Sequence, residues 1–168
     1  MADARSIFVT GLKNAHAMEN QALSIMKPQV SRIENYPEVA DMLERHIRET
    51  EGQIERLDAI LASLSESHST MKDMALSMGG AMAALGHTIA PDEIVKNSFA
   101  NFAFENYEIA AYKSLMTLAE LGGFQQALTG LKANLEEEQA MAHWIDSNLR
   151  SLTMKFASLK EAGASAKV

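Results

Sequence analysis

The stretch Phe104-Glu105-Asn106-Tyr107-Glu108-Ile109-Ala110-Ala111-Tyr112 sets two carboxylates three residues apart in an otherwise apolar run. On a helix, residues three and four apart share a face. Asn101, Glu105, Glu108, Tyr112, Leu115 and Ala119 follow the alternating steps of a core-facing seam, so both acids point toward a core. A buried carboxylate is costly unless it is protonated, paired with a cation or bound to a metal. The stretch therefore demands partners from elsewhere in the chain.

The partners emerge when the chain is laid over itself with a shift of 89 residues, which carries Glu19 onto Glu108. Val9, Leu12, His16, Glu19, Leu23, Met26 and Val30 form a matching stripe, with His16 falling on Glu105 and Leu23 on Tyr112. The same shift carries Met42, His46, Glu49, Gln53, Arg56 and Ile60 onto Leu131, Leu135, Glu138, Ala142, Ile145 and Leu149. Glu19 to Glu49 and Glu108 to Glu138 are both 30 residues apart. Each half thus reads as a helical hairpin with one inward glutamate per helix.

The rest of the sequence supports an all-α reading. Three prolines, nine glycines and abundant Ala, Leu, Met, Glu and Lys favour helix, and no sustained two-residue alternation of β-branched residues occurs. The first helix is expected from near Asp3 or Ser6 to about Glu34, bent near Lys27 by Pro28. The second runs from Pro37 to about Leu64, the third from about Pro91 to Leu121, and the fourth from about Phe124 to Phe156. Gly122-Gly123 stops the third helix. A loop over Ser63–Thr70 and a short methionine-rich helix over Met71–Leu85 connect the hairpins. Residues 156–168 read as a frayed tail. One domain over 1–168 is expected, a four-helix bundle whose long connection between the second and third helices fits the ferritin-like plan.

With no cysteine, thiolate metal sites and thiol redox chemistry are excluded. A net charge of −7 and a pI near 5.2 argue against nucleic-acid binding. The longest uncharged run, Met74 to Pro91, holds three glycines, a histidine and two hydroxyl residues and does not read as a membrane span. No basic segment followed by an apolar one opens the chain, so a cytoplasmic location is expected.

If the halves are related by a two-fold axis, Glu19, Glu49, Glu108 and Glu138 meet at mid-height. Four carboxylates there cannot all stay ionised and unpaired, and two divalent cations, iron or manganese, would neutralise them. The familiar arrangement places a histidine three residues after a glutamate on two of the helices, but those positions are Gly52 and Met141. The residues three before are Glu105, His46 and His16, of which Glu105 is the strongest additional ligand and His46 the next. Glu136 and Glu137 are expected on solvated flanks, Tyr107, Tyr112 and Trp144 in the packing, and His68, His87 and His143 at the surface or in packing. Tyr112, one turn from Glu108, is also a candidate hydrogen-bond partner for the site.

Leu43-x-x-His46-x-x-Glu49-Thr50 with Gln53 and Arg56-Leu57, Glu105-x-Tyr107-Glu108-Ile109-Ala110-Ala111-Tyr112, and Leu135-x-Glu137-Glu138 resemble the YciE/YciF family of ferritin-like proteins. That resemblance implies a ferritin-like bundle, a homodimer, a di-metal carboxylate site and an association with bacterial stress responses. His16 departs from it, since family members tend to have tyrosine there. The resulting expectation is a di-iron or di-manganese protein that reacts with oxygen or peroxide, with Glu19, Glu49, Glu108 and Glu138 as ligands, completed by Glu105 and His46. The rival expectation is a non-catalytic helical interaction protein whose buried acids pair with Arg56 and the histidines.

Overall fold

A computed structural model describes residues 4–67 and 90–168. Four helices account for nearly all of them: α1 (Ala4–Val30), α2 (Pro37–Ser63), α3 (Glu93–Gly122) and α4 (Gln125–Glu161). Helix α1 packs on α2 and α3, and α4 packs on the same two, so the helices occupy the corners of a square in the order α1, α2, α4, α3.

Cross-helix contacts fix the directions. Arg5 donates to the Leu64 carbonyl and Lys27 to Glu51, so α1 and α2 are antiparallel. Gln29 meets Asn101 while Glu19 meets Tyr112, and Lys155 meets Glu38 while Arg56 meets Asn134, so α1/α3 and α2/α4 are antiparallel as well. Helices α2 and α3 must then be parallel. The chain between them joins opposite ends of the bundle, a distance of roughly 40 Å for a 27-residue helix. This is the expected crossover. The short helix anticipated over Met71–Leu85 lies outside the described residues, as do His68 and His87.

Local chemistry accounts for the helix ends. Pro37 opens α2 at a position where its missing N–H costs nothing. Gly123 takes φ 75° and closes α3, with the Phe124 N–H donating to the Ala119 carbonyl. Helix α1 stops at Val30 rather than near Glu34. Pro28 lies in its last turn and has no N–H to offer the preceding turn.

The expectation of a frayed tail is overturned. Helix α4 continues to Glu161, and the residues beyond it dock on the far end of the bundle. Ala166 is buried, and its carbonyl accepts a 2.7 Å bond from the Tyr36 hydroxyl. The Lys167 carbonyl accepts from the Ile94 N–H, and the Val168 carbonyl from the Asn35 N–H. The first N–H groups of a helix lack partners inside it, and the tail supplies one to α3. Buried Glu93 sits between Arg32, 2.8 Å away, and Lys167, 3.3 Å away.

The core is a seam of Phe8, Leu12, Met18, Leu43, Leu57, Leu61, Leu131 and Met141, all fully buried. It is interrupted at mid-height by polar residues that the helical spacing forces inward.

Candidate metal centre

Each of the four helices contributes a buried acid or imidazole at the same level. Glu19 of α1, Glu105 and Glu108 of α3, Glu138 of α4 and His46 of α2 are each at most 3% exposed. His46 stands at the middle. Its Nε2 lies 3.2 Å from Glu105 Oε2 and 3.4 Å from Glu138 Oε2, and its Nδ1 lies 3.1 Å from Glu49 Oε2. His46, Glu105 and Glu138 each present a ligand atom within 4.8 Å of the others, a group that could hold a metal ion.

Glu49 occupies a different position from the other acids. Its side chain is 22% exposed and lies between the Arg45 guanidinium, whose Nε donates at 2.9 Å, and His46. It reaches the interior through the imidazole. His16 is buried but turns to Asp58, with Nε2 3.2 Å from Oδ1, and lies within hydrogen-bonding distance of Asn20.

The remaining carboxyl oxygens are notable for what they lack. Among the described residues, both oxygens of Glu108, Glu19 Oε2 and Glu138 Oε1 are buried without a hydrogen-bond partner, while Glu105 Oε2 and Glu138 Oε2 face His46 Nε2. Burial, reinforced by Glu19, Glu138 and Glu105, pushes the Glu108 carboxyl well above the usual range. Burial and Glu138 push Glu19 up likewise, against the hydrogen bond from Tyr112. Glu105 is raised by burial to about 8, with His46 opposing. Burial would raise Glu138 too, but the closeness of His46, Glu105 and Gln53 outweighs it and holds that carboxyl below its ordinary value. Burial works against the charged form of His46, yet the surrounding acids, Glu105 foremost, raise it well above a free imidazole. Without a metal, burial therefore favours the protonated form of Glu19, Glu105 and Glu108, while the acids around His46 favour its charged form.

The internal repeat explains why the two halves differ. Tyr112 donates a 2.5 Å bond to Glu19 Oε1, and Asn134 Nδ2 donates to the Tyr112 hydroxyl at 2.9 Å. The position equivalent to Tyr112 in the first half is Leu23, which has no hydroxyl to offer Glu108. Behind Asn134 the network continues outward. Arg56 donates to Asn134 Oδ1 and, through two 2.7 Å bonds, to Glu137, while Gln53 donates to Glu137 as well.

Two sequence expectations change here. Glu137 is held by Arg56 and Gln53 rather than lying on a solvated flank, because Arg56 on the adjacent α2 reaches it in a fork-to-fork geometry. Glu136 is exposed, as expected. Tyr107 is 54% exposed on the outer face of α3, so it does not pack in the core. Arg56, the cation that the rival reading assigned to the buried acids, is directed to Glu137 and Asn134. Asn134 was not singled out from the sequence, although it sits one turn before Glu138 on the same stripe.

An all-α bundle enclosing a carboxylate and imidazole group is the class of protein that this fold and site define. The chain belongs to the family described as a domain of unknown function (DUF892), whose profile matches residues 3–158. This is the YciE/YciF family: protein YciF of Escherichia coli K12 is 32% identical over 148 residues, covering 83% of this chain and 86% of YciF. Among solved structures, a protein from Xanthomonas campestris superposes with a TM-score of 0.79 at 28% identity, over 95% of this chain and 99% of that one. The E. coli stress protein YciF superposes with a TM-score of 0.76 at 28% identity, over 89% and 96%. No helix among the described residues is long and apolar enough to cross a membrane.

Proposed function

We propose that this protein is a ferritin-like di-metal carboxylate protein that binds two iron or manganese ions and reacts with dioxygen or peroxide. The observation that carries the reading is the set of buried carboxyl oxygens, both of Glu108 and one each of Glu19 and Glu138, that have no protein donor. A structural ion network would supply donors there, whereas divalent cations need such oxygens free. Hard oxygen ligands with one imidazole suit iron or manganese.

Glu105, Glu138 and His46 would hold one ion, and Glu19 and Glu108 the second, with carboxylates shared between them. Glu49, tied to His46 Nδ1, would orient the imidazole or join as a ligand when Arg45 releases it. Tyr112 and Asn134 would hold Glu19 in place. Iron or manganese bound there would supply the electrons that reduce dioxygen or peroxide, and the apolar surroundings, with Leu115 and Ile145 buried, would limit water. A role in a stress response is drawn from the E. coli relative's description as a stress protein. A second copy of the chain is the expected partner, and the outer face of α3, with Phe99 and Tyr107 more than half exposed, would suit it.

Elemental analysis of protein loaded with ferrous or manganous ion tests the reading. About two metals per chain, with a melting temperature that falls on chelation, is the expected result. Negligible metal and a chelator-insensitive melt would leave an interaction protein with an ion network.

A further inference from the structure

A small hollow of about 20 Å³ lies inside the bundle, walled by α2, α3 and α4. Its inner residues include Leu43, Asn101 and Met141. Leu43 is three residues before His46, Asn101 four before Glu105, and Met141 three after Glu138. Because α2 and α3 are parallel and α4 opposes them, all three displacements run toward the same end of the bundle. The inner wall of the hollow therefore lies about one helical turn, roughly 5 Å, above the His46, Glu105 and Glu138 group, and the hollow extends from there toward Val39, Ser98 and Leu152. On its outer side it is lined by Trp144, Asn148 and Leu149, which are only half-buried, so it reaches toward solvent between helices.

Three polar side chains on its wall make hydrogen bonds within the protein. Asn101 and Gln29 exchange two hydrogen bonds, Ser98 donates to the Ile94 carbonyl, and Asn148 donates to the Trp144 carbonyl. A water needs two to four partners to be held in such a space. What remains is a mostly apolar chamber with room for one small molecule, next to a group otherwise sealed from solvent.

We infer that this hollow is the access route and waiting site for dioxygen, a small neutral molecule that needs no hydrogen bonds. The inference rests on the oxygen-reactive reading above and names the way in. Leu149 and Ile145 control passage, and Met141 forms the wall nearest the site.

The first arm of the test uses metal-free protein and dissolved dioxygen, whose paramagnetism speeds relaxation of nearby methyl groups. The Met141 and Ile145 methyls should relax several-fold faster under oxygen than the equally buried Leu12 methyls, and Ile145→Phe should abolish the difference at Met141. Equal relaxation at all these sites overturns the inference.

The second arm compares wild type with Leu149→Trp, a rim change that a half-buried position tolerates if Ile145→Phe fails to fold. Each dioxygen consumed takes one electron from each of two ferrous ions and two protons from water, leaving as hydrogen peroxide. Anaerobic ferrous binding should be unchanged, and oxygen consumption should slow about tenfold. Normal iron binding with undiminished oxygen consumption overturns the route. Failure of wild type to bind iron instead sinks the metal reading, while the relaxation arm still decides whether dioxygen occupies the hollow.

Discussion

Replacing Glu108 with glutamine should stabilise the metal-free protein, and by more as the pH rises. The folded carboxyl is raised far above the ordinary value of 4.5 by burial and by its acidic neighbours, and neither oxygen has a donor. A group raised in this way contributes its full stability below the unfolded value and loses it as pH climbs toward the folded one. Each pH unit in that window costs wild type about 1.4 kcal/mol for one proton. Glutamine has no proton to keep. Between pH 5 and 7.5 the advantage of Glu108→Gln should therefore grow by up to about 3 kcal/mol, or roughly 6–12 °C in melting temperature for a chain of this size. Thermal melts of chelator-treated, dialysed protein across that range measure it. With ferrous or manganous ion in excess the order should reverse, since wild type gains about 4 kcal/mol at a thousandfold excess over Kd and the variant gains little. A metal-free variant no more stable than wild type, or a difference that stays flat with pH, would refute the picture of Glu108 as a buried carboxyl waiting for a cation.

Metal binding near pH 7 should release up to four protons per chain, one each from Glu19, Glu105, Glu108 and His46, readable with an indicator dye in weak buffer. Release of none would mean the carboxyls were already ionised. Tyr112→Phe removes the bond to Glu19 and the acceptor for Asn134, and should weaken metal affinity by 10- to 100-fold in competition with a chelator. Glu93→Ala strands Arg32 and Lys167 at the docked tail; because both cations are partly exposed, a loss of about 1–3 kcal/mol is expected in urea melts, and a loss near zero would show that the clasp adds no stability. Gly123→Ala forces a side chain into a left-handed turn and should cost about 1 kcal/mol in the same assay.

The bundle and most of the buried group were legible because helical spacing and an internal repeat point the same way. Glu19, Glu108 and Glu138 lie on seams whose apolar neighbours leave no doubt about direction, and Glu105 shares the face of Glu108. Glu49 was harder to place, since it sits on a seam edge where Arg45, one turn earlier, competes for its carboxylate. The Tyr112, Asn134, Arg56 and Glu137 chain was visible only in parts: a lone asparagine on an apolar stripe gives little signal until the helix opposite is known. The docked tail had no local signal at all. Its order comes from hydrogen bonds spanning 130 residues between Tyr36 or Asn35 and the chain's final residues, and composition there favours fraying. Glu93 carried no signal in the sequence, because its partners, Arg32 and Lys167, lie far away along the chain.

The parallel placement of α2 and α3 also bears on how the molecule assembles. Each hairpin can close through short-range contacts, but either one alone gathers only part of the acidic set. The full electrostatic penalty falls when the two preformed halves come together, a slow step on general grounds because it joins distant parts of the chain. Proton or cation supply should therefore govern that late association and leave hairpin formation untouched. Refolding would then quicken with divalent ion in its slow phase alone.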